Sequence, residues 1–170
     1  LYPWMDEGFT SYATNLTMGE IFREGVGNVH AGSYRGYISL AKSGLEEPMS
    51  THSDHYHTNR AYGSAAYSKG AVFMEQLGYV IGKEVRDRGL LRYFNTWKFK
   101  HPNANDLIRI MEKESGIELD WYKEYFVYTT KTIDYAVGPV EARGDQTAVT
   151  FQRIGLMPMP LDIVVTYKDG

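Results

Sequence analysis

The chain has 170 residues, of which 43% are hydrophobic and 23% charged, and its formal net charge is -3 at pH 7. This composition is typical of a globular protein and excludes two other classes: nucleic-acid-binding proteins, which need a concentrated basic face, and membrane-spanning chains, which need about 20 consecutive apolar residues. Because cysteine is absent, the chain can form neither a disulfide nor a thiolate zinc site.

Residues 1 to about 130 are predicted to be mostly helical. In the first segment, apolar residues recur at helical spacing and form one stripe, at Met5, Phe9, Tyr12 and Leu16. The Gly-rich stretch from Val26 to Tyr37 predicts irregular structure, with room for a short helix from Tyr34. Residues 43–62 are polar and predict a loop.

Several helices are predicted after this loop. Ser64 is the expected N-cap of a long helix that ends near Gly82, and apolar residues on almost every face of that helix predict that it is buried. Further helices are predicted over residues 84–98, from Asn103 to Gly116, and from Asp120 onward.

The pattern changes near Thr132. Strands are predicted over residues 133–142, 146–153 and 161–168, with turns between them. The predicted fold class is therefore mainly α, with a helical region over residues 1–132 and the start of an all-β domain over residues 133–170. The sequence begins at Leu1 with neither an initiator methionine nor a signal peptide, and its last residues are predicted to be a strand running into a turn. We therefore expect both ends to lie inside a longer protein.

Two short segments carry residue types that could perform chemistry. The first is Trp4-Met5-Asp6-Glu7-Gly8-Phe9, in which Glu7 lies opposite the apolar stripe and could simply be a solvated carboxylate. The second is Tyr67-Ser68-Lys69-Gly70, in which Tyr67 would occupy the first turn of the buried helix and could be a core tyrosine.

Together, and in this order, the two segments resemble the aminopeptidase N family of gluzincin zinc peptidases. In that family, a W-x-x-E-G-F/H segment follows an H-E-x-x-H helix and supplies the third zinc ligand. A later Y-x-K-G segment supplies a tyrosine that stabilises the transition state. The resemblance implies that Glu7 is a zinc ligand and Tyr67 a catalytic residue.

The resemblance covers nearly the whole chain. It implies that residues 1–132 are the C-terminal helical part of a gluzincin catalytic domain, and that residues 133–170 begin a β-sandwich domain that is truncated here. It also implies that the parent protein is a zinc metallo-aminopeptidase acting on peptide substrates.

Two motifs of the family are absent from this sequence. The chain contains neither H-E-x-x-H nor the G-x-M-E-N segment that grips the substrate's amino terminus, and the family places both upstream. A catalytic zinc takes three protein ligands and keeps a fourth position open. We therefore expect the isolated chain to be inactive and to need the upstream half of its own domain, since one carboxylate cannot hold the ion.

The implied mechanism gives Tyr67 a specific task. Its hydroxyl would donate a hydrogen bond to the oxyanion that develops during peptide hydrolysis, an interaction that acts on rate. A position at a helix N-terminus would add a favourable dipole. Gly8, beside Glu7, is expected to let a neighbouring helix come close.

Other residues near these motifs are open to two interpretations. Tyr62 is either a site-lining residue or a packing residue, and Asp6 either orients a zinc ligand or caps a helix. The tract that contains His52, His55 and His57 is either a metal site or a polar loop beside the cleft.

The principal alternative for the parent protein is a non-catalytic member of the same family that serves as a peptide-binding or scaffold module. Retention of both Glu7 and Tyr67 favours the enzyme, because a decayed site has no reason to keep both.

Overall fold

The computed structural model describes residues 2–22 and 27–166 and divides into two compact units, Leu1–Thr130 and Lys131–Gly170. The first unit is helical and the second contains a β-hairpin. The elements in chain order are α1 (Trp4–Phe22), α2 (Ala31–Ala41), a 3₁₀ turn (Ser53–His55), α3 (Asn59–Gly63), a π-helical turn (Ser64–Lys69), α4 (Gly70–Ile81), α5 (Lys83–Trp97), α6 (Ala104–Ser115), α7 (Asp120–Tyr128), β1 (Tyr135–Arg143) and β2 (Gln146–Arg153). The fold-class prediction, mainly α with a few strands, is confirmed.

Helix α4 forms the centre of the helical unit. Most of its apolar residues are buried, as the apolar pattern predicted, although Tyr79 is exposed and Val80 is half-buried. The Phe73 ring contacts three aromatic rings from α1 and α7, with centroid distances of 5.2 Å to Trp4, 5.1 Å to Tyr122 and 5.7 Å to Phe126. The Tyr122 hydroxyl also donates to the Phe73 carbonyl oxygen at 2.6 Å. Helices α1, α4 and α7 therefore share one aromatic core.

Helix α1 buries a stripe that shares only Tyr12 with the one that the sequence predicted. Its buried residues are Trp4, Gly8 and Tyr12, each four positions apart, whereas Leu16 is 42% exposed. The predicted stripe was offset because glycine does not count as apolar in such a pattern, although the Gly8 backbone packs directly against that of Gly70.

The helical run that carries Tyr67 begins earlier than predicted. Thr58 caps it, since the Thr58 hydroxyl oxygen accepts from the Ala61 backbone N–H at 3.0 Å. Ser64 is therefore not the N-cap, and it lies inside a continuous run that leads through the π-helical turn into α4. The polar loop ends correspondingly early, at residue 58.

Helix α2 is longer than the short segment predicted from Tyr34, because it starts at Ala31; Val26 lies outside the described residues. Helix α6 agrees closely with its local signals. The Asn103 side chain accepts from the Asp106 backbone N–H, and the Asp106 carboxylate accepts in return from the Asn103 N–H, at 3.3 and 2.9 Å. Gly116, with φ of 71°, ends the helix in the left-handed conformation.

The second unit contains one antiparallel pair, β1 with β2, joined at Gly144 and Asp145. The predicted third strand is not present over residues 161–166, and residues 167–168 lie outside the described residues. Alternating apolar residues there satisfied the sequence pattern, but a strand also needs a hydrogen-bonded neighbour, which the pattern does not supply. Among the residues that the structure describes, no helix is long and apolar enough to cross a membrane.

Candidate active site

Two glycines place the two candidate motifs side by side. A Cβ atom on Gly8 would lie 2.7 Å from the Gly70 Cα, and a Cβ on Gly70 would lie 2.6 Å from the Gly8 Cα. Real Cβ atoms do not approach backbone that closely, so only glycine at both positions lets α1 meet the start of α4. The expectation that Gly8 admits a neighbouring helix is confirmed.

This contact brings Glu7 and Tyr67 together. Glu7 precedes Gly8 on α1, and Tyr67 lies three residues before Gly70 on the π-helical turn. The nearby Glu7 carboxylate is the main cause of a rise in the pKa of Tyr67 to about 12, and desolvation is the second cause. At neutral pH the hydroxyl therefore keeps its proton and can act as a hydrogen-bond donor.

Tyr67 does not lie at a helix N-terminus. It sits in the π-helical turn within the run from Asn59 to Ile81, so the expected dipole contribution at a first helical turn is wrong. The ring remains 39% exposed although its neighbours Ala66 and Lys69 are buried. Single π-helical turns interrupt the regular i→i−4 ladder and often occur at functional sites, where they redirect a side chain.

A polar cleft of about 440 Å³ adjoins Glu7 and Tyr67. Hydroxyl and amide side chains from α1, α2 and the π-helical turn line the rest of it: Thr10, Ser11, Thr14, Asn15, Ser33 and Ser68. The polar face of α1, which the sequence pattern indicated was solvated, therefore borders a cleft, and its polar groups can hydrogen-bond to a polar ligand.

Tyr62 and Asp6 both lie near Tyr67, in different ways. The Tyr62 ring meets the Tyr67 ring edge-on at 6.3 Å and the Tyr56 ring at 5.5 Å, which places it among the residues that support the Tyr67 ring. Asp6 is exposed in the first turn of α1 and lines a separate cleft of about 910 Å³ that also includes Lys100 and His101.

Lys69 belongs to the second motif, but the sequence analysis assigned it no role. Its side chain is fully buried, and Nζ donates to Glu46 Oε1 at 2.7 Å and to the Thr129 carbonyl oxygen at 3.1 Å. Burial lowers the pKa of Lys69, and the Glu46 carboxylate opposes that shift. Because Glu46 lies 23 residues away in an irregular segment, no local sequence signal marks it as the partner.

The histidine tract does not form a metal cluster. His52 contacts the rings of His55 and Tyr2, while His57 Nδ1 lies 2.9 Å from a Glu47 carboxylate oxygen. Over residues 2–22 and 27–166, no group of three or more histidine, aspartate or glutamate side chains could hold a metal ion. This favours the interpretation of the tract as a polar loop.

The donor chemistry at Glu7 fits one position of a zinc site. A carboxylate is an ordinary zinc ligand, and this one lies at a polar cleft beside a protonated hydroxyl. The described residues form no group of three metal-ligating side chains, so a three-ligand site would need side chains from outside them.

The family model described as "Peptidase family M1 domain" matches residues 3–126 of the chain. The chain belongs to peptidase family M1. This agrees with the resemblance found from the motifs, because the matched range contains both of them.

Named relatives support membership of M1. The chain is 24% identical, over 91% of its length, to the protein named probable aminopeptidase 1 of Sulfurisphaera tokodaii, and 28% identical, over 61% of its length, to a leukotriene A-4 hydrolase homolog of Botryotinia fuckeliana. It spans only about a fifth of the length of these curated relatives, 20% and 17% respectively.

A solved structure shares the fold. It is the E323A mutant of an M1 zinc metallopeptidase from Deinococcus radiodurans, bound to a Tyr-Ser-Ala substrate. The TM-score is 0.57 at 21% identity, and the match covers 74% of this chain and 27% of that one. The helical arrangement described above is therefore an M1 arrangement.

Proposed function

We propose that the protein carrying this chain is a zinc-dependent M1 aminopeptidase, which hydrolyses residues from the amino end of peptides. The observation that carries the proposal is the pairing of Glu7 with Tyr67 across the Gly8–Gly70 contact. Membership of M1 and the names of the aminopeptidase relatives support it.

Tyr67 would act on the developing oxyanion. Its hydroxyl is protonated at neutral pH, and Tyr67 lines the polar cleft close to Glu7. A fixed donor aimed at developing charge stabilises the transition state more than the ground state, and so it raises kcat.

Glu7 would be one of three protein ligands of the zinc ion. When bound, zinc polarises a carbonyl group and activates water. The backbone of α1, locked against α4 through Gly8, would hold the Glu7 carboxylate at a fixed distance from the Tyr67 hydroxyl. The other two ligands would come from an H-E-x-x-H helix, which this sequence does not contain. For that reason we propose that the chain alone is inactive.

We also propose a domain assignment. Residues 1–132 would be the C-terminal helical part of the M1 catalytic domain, and residues 133–170 would begin a following β-sandwich domain. The division of the structure into Leu1–Thr130 and Lys131–Gly170 supports a boundary near this point.

The experiment that tests the proposed function compares peptides with free and acetylated amino termini as substrates of the full-length protein. Release of the first residue from the free peptide alone, abolished by a zinc chelator and restored by added zinc, is the expected result. A protein that binds peptides but cleaves neither form would instead be the non-catalytic scaffold member of the family.

A further inference from the structure

We propose that the buried Lys69–Glu46 ion pair is a positioning device for Tyr67, which holds the π-helical turn in the register that aims the Tyr67 hydroxyl into the cleft. This inference rests on the proposed catalytic role of Tyr67. Lys69 itself is too deeply buried to touch substrate, so it would act only through the turn that it anchors.

Lys69 ties together three segments that are distant in sequence. Its ammonium group bonds to Glu46 in the segment before the histidine tract and to the Thr129 carbonyl oxygen just after α7. It also lies 5.3 Å from the centroid of the Tyr37 ring of α2. The Glu46 side chain is only 6% exposed, so both charges of the pair are inside the helical unit.

Lys69 and Tyr67 project to opposite sides of the same turn. Residues two apart in a helix do not face each other, and here one side chain is fully buried while the other is 39% exposed at the cleft. The next residue, Gly70, is fixed by its backbone contact with Gly8. Lys69 therefore anchors the buried side of the π-helical turn, and Gly70 anchors its C-terminal end. Together they leave Tyr67 little freedom to rotate about the helix axis.

A buried ion pair usually adds little to the net stability of a fold. The cost of removing both charges from water offsets much of their attraction, and apolar residues of similar volume often serve a fold equally well. A charged pair does, however, demand one geometry, because Nζ must meet both Glu46 and the Thr129 carbonyl oxygen. Because the pair forms in one geometry only, it can hold the π-helical turn in one register, and that register determines where the Tyr67 hydroxyl points.

The expected effect is on kcat, since a displacement of about 1 Å at a catalytic group costs on the order of 100-fold in rate. In the zinc-loaded full-length enzyme, Lys69→Met should lower kcat by about 10- to 100-fold and leave KM within about threefold. Glu46→Gln, which keeps a hydrogen-bond acceptor for Lys69, should give a smaller loss of the same kind.

The decisive test is a double-mutant cycle. If Lys69 acts through Tyr67, Lys69→Met should lower kcat by less than about threefold in a Tyr67→Phe background, because the hydroxyl it positions is already gone. Equal fold-losses in the two backgrounds would overturn the proposal. If Tyr67→Phe alone leaves kcat unchanged, the proposed role of Tyr67 fails, whereas an effect of Tyr67→Phe without one of Lys69→Met refutes only the positioning.

Two further variants separate positioning from stability. Lys69→Met alone should lower the melting temperature, because it leaves the buried Glu46 charge unpaired. Adding Glu46→Leu should restore the melting temperature but not kcat, and restoration of both would show that the ion pair has only a structural role. Tyr122→Phe is the matched control. It removes a different buried hydrogen bond, the one from the Tyr122 hydroxyl on α7 to the Phe73 carbonyl oxygen on α4, and it leaves the π-helical turn unchanged. It should lower the melting temperature and leave kcat unchanged.

Discussion

Replacing Gly8 by alanine tests the contact that brings the two motifs together. The new Cβ would lie 2.7 Å from the Gly70 Cα and 3.1 Å from the Ala66 carbonyl oxygen. Carbon atoms pack best at about 3.5–4.0 Å, so α1 would have to move away by about 1 Å. The opposing atoms are backbone and cannot rotate aside, as a side chain could.

The free energy of unfolding should fall by about 2 kcal/mol in Gly8→Ala. Overpacking in a tight core costs about 1–3 kcal/mol, and a backbone clash belongs at the upper end, while the higher helix propensity of alanine returns about 1 kcal/mol. The matched control is Gly63→Ala, at a helical glycine with φ of -61° whose Cβ would meet nothing within 4 Å. That variant should gain about 0.5–1 kcal/mol.

Urea unfolding of the chain, followed by circular dichroism at the helix band, measures both variants. With a urea dependence of about 1–3 kcal/mol per molar, the unfolding midpoints of the two variants should differ by at least about 0.8 M. A Gly8→Ala chain as stable as the wild type would refute the inference that the Gly8–Gly70 contact requires two glycines.

Two other predictions concern stability. Burial raises the pKa of Tyr12 to about 12 and that of Tyr122 well above its usual value. Because the folded chain keeps these protons where the unfolded chain has lost them, stability should fall between about pH 10.5 and pH 12, by about 1.4 kcal/mol per pH unit for each tyrosine that stays protonated in the fold; urea unfolding across that range measures it, and a flat profile would contradict it. Asn103→Ala removes the capping box of α6 and should lower the free energy of unfolding by about 1 kcal/mol, whereas Asn103→Ser, which keeps a capping oxygen, should lower it by less than half as much. Equal losses in the two Asn103 variants would exclude the cap as the cause.

Elements marked by local chemistry were predictable from the sequence. The bounds of α6 follow from Asn103 at its start and Gly116 at its end, and both signals act within a few residues. The burial of α4 follows from apolar residues on almost all of its faces. By contrast, Thr58 and Ser64 are both good capping residues, and only tertiary packing decides that Thr58 is the cap.

The parts of the site that depend on distant contacts were not predictable. The motif resemblance singled out Glu7 and Tyr67, and the glycine within each motif explains why the two residues lie close together. The π-helical turn has no sequence signal of its own, since it depends on how Gly70 and Lys69 are held. The pairing of Glu46 with Lys69 could not be predicted from the sequence, because only the fold brings these two side chains together.

Paired measurements of zinc content and kcat on the full-length protein test most directly whether Glu7 and Tyr67 belong to one zinc peptidase site. Tyr67→Phe should retain one zinc ion per site while kcat falls by about 100- to 1000-fold, and Glu7→Ala should lose tight zinc binding along with activity. Full activity in Tyr67→Phe, or undiminished zinc affinity in Glu7→Ala, would contradict the account.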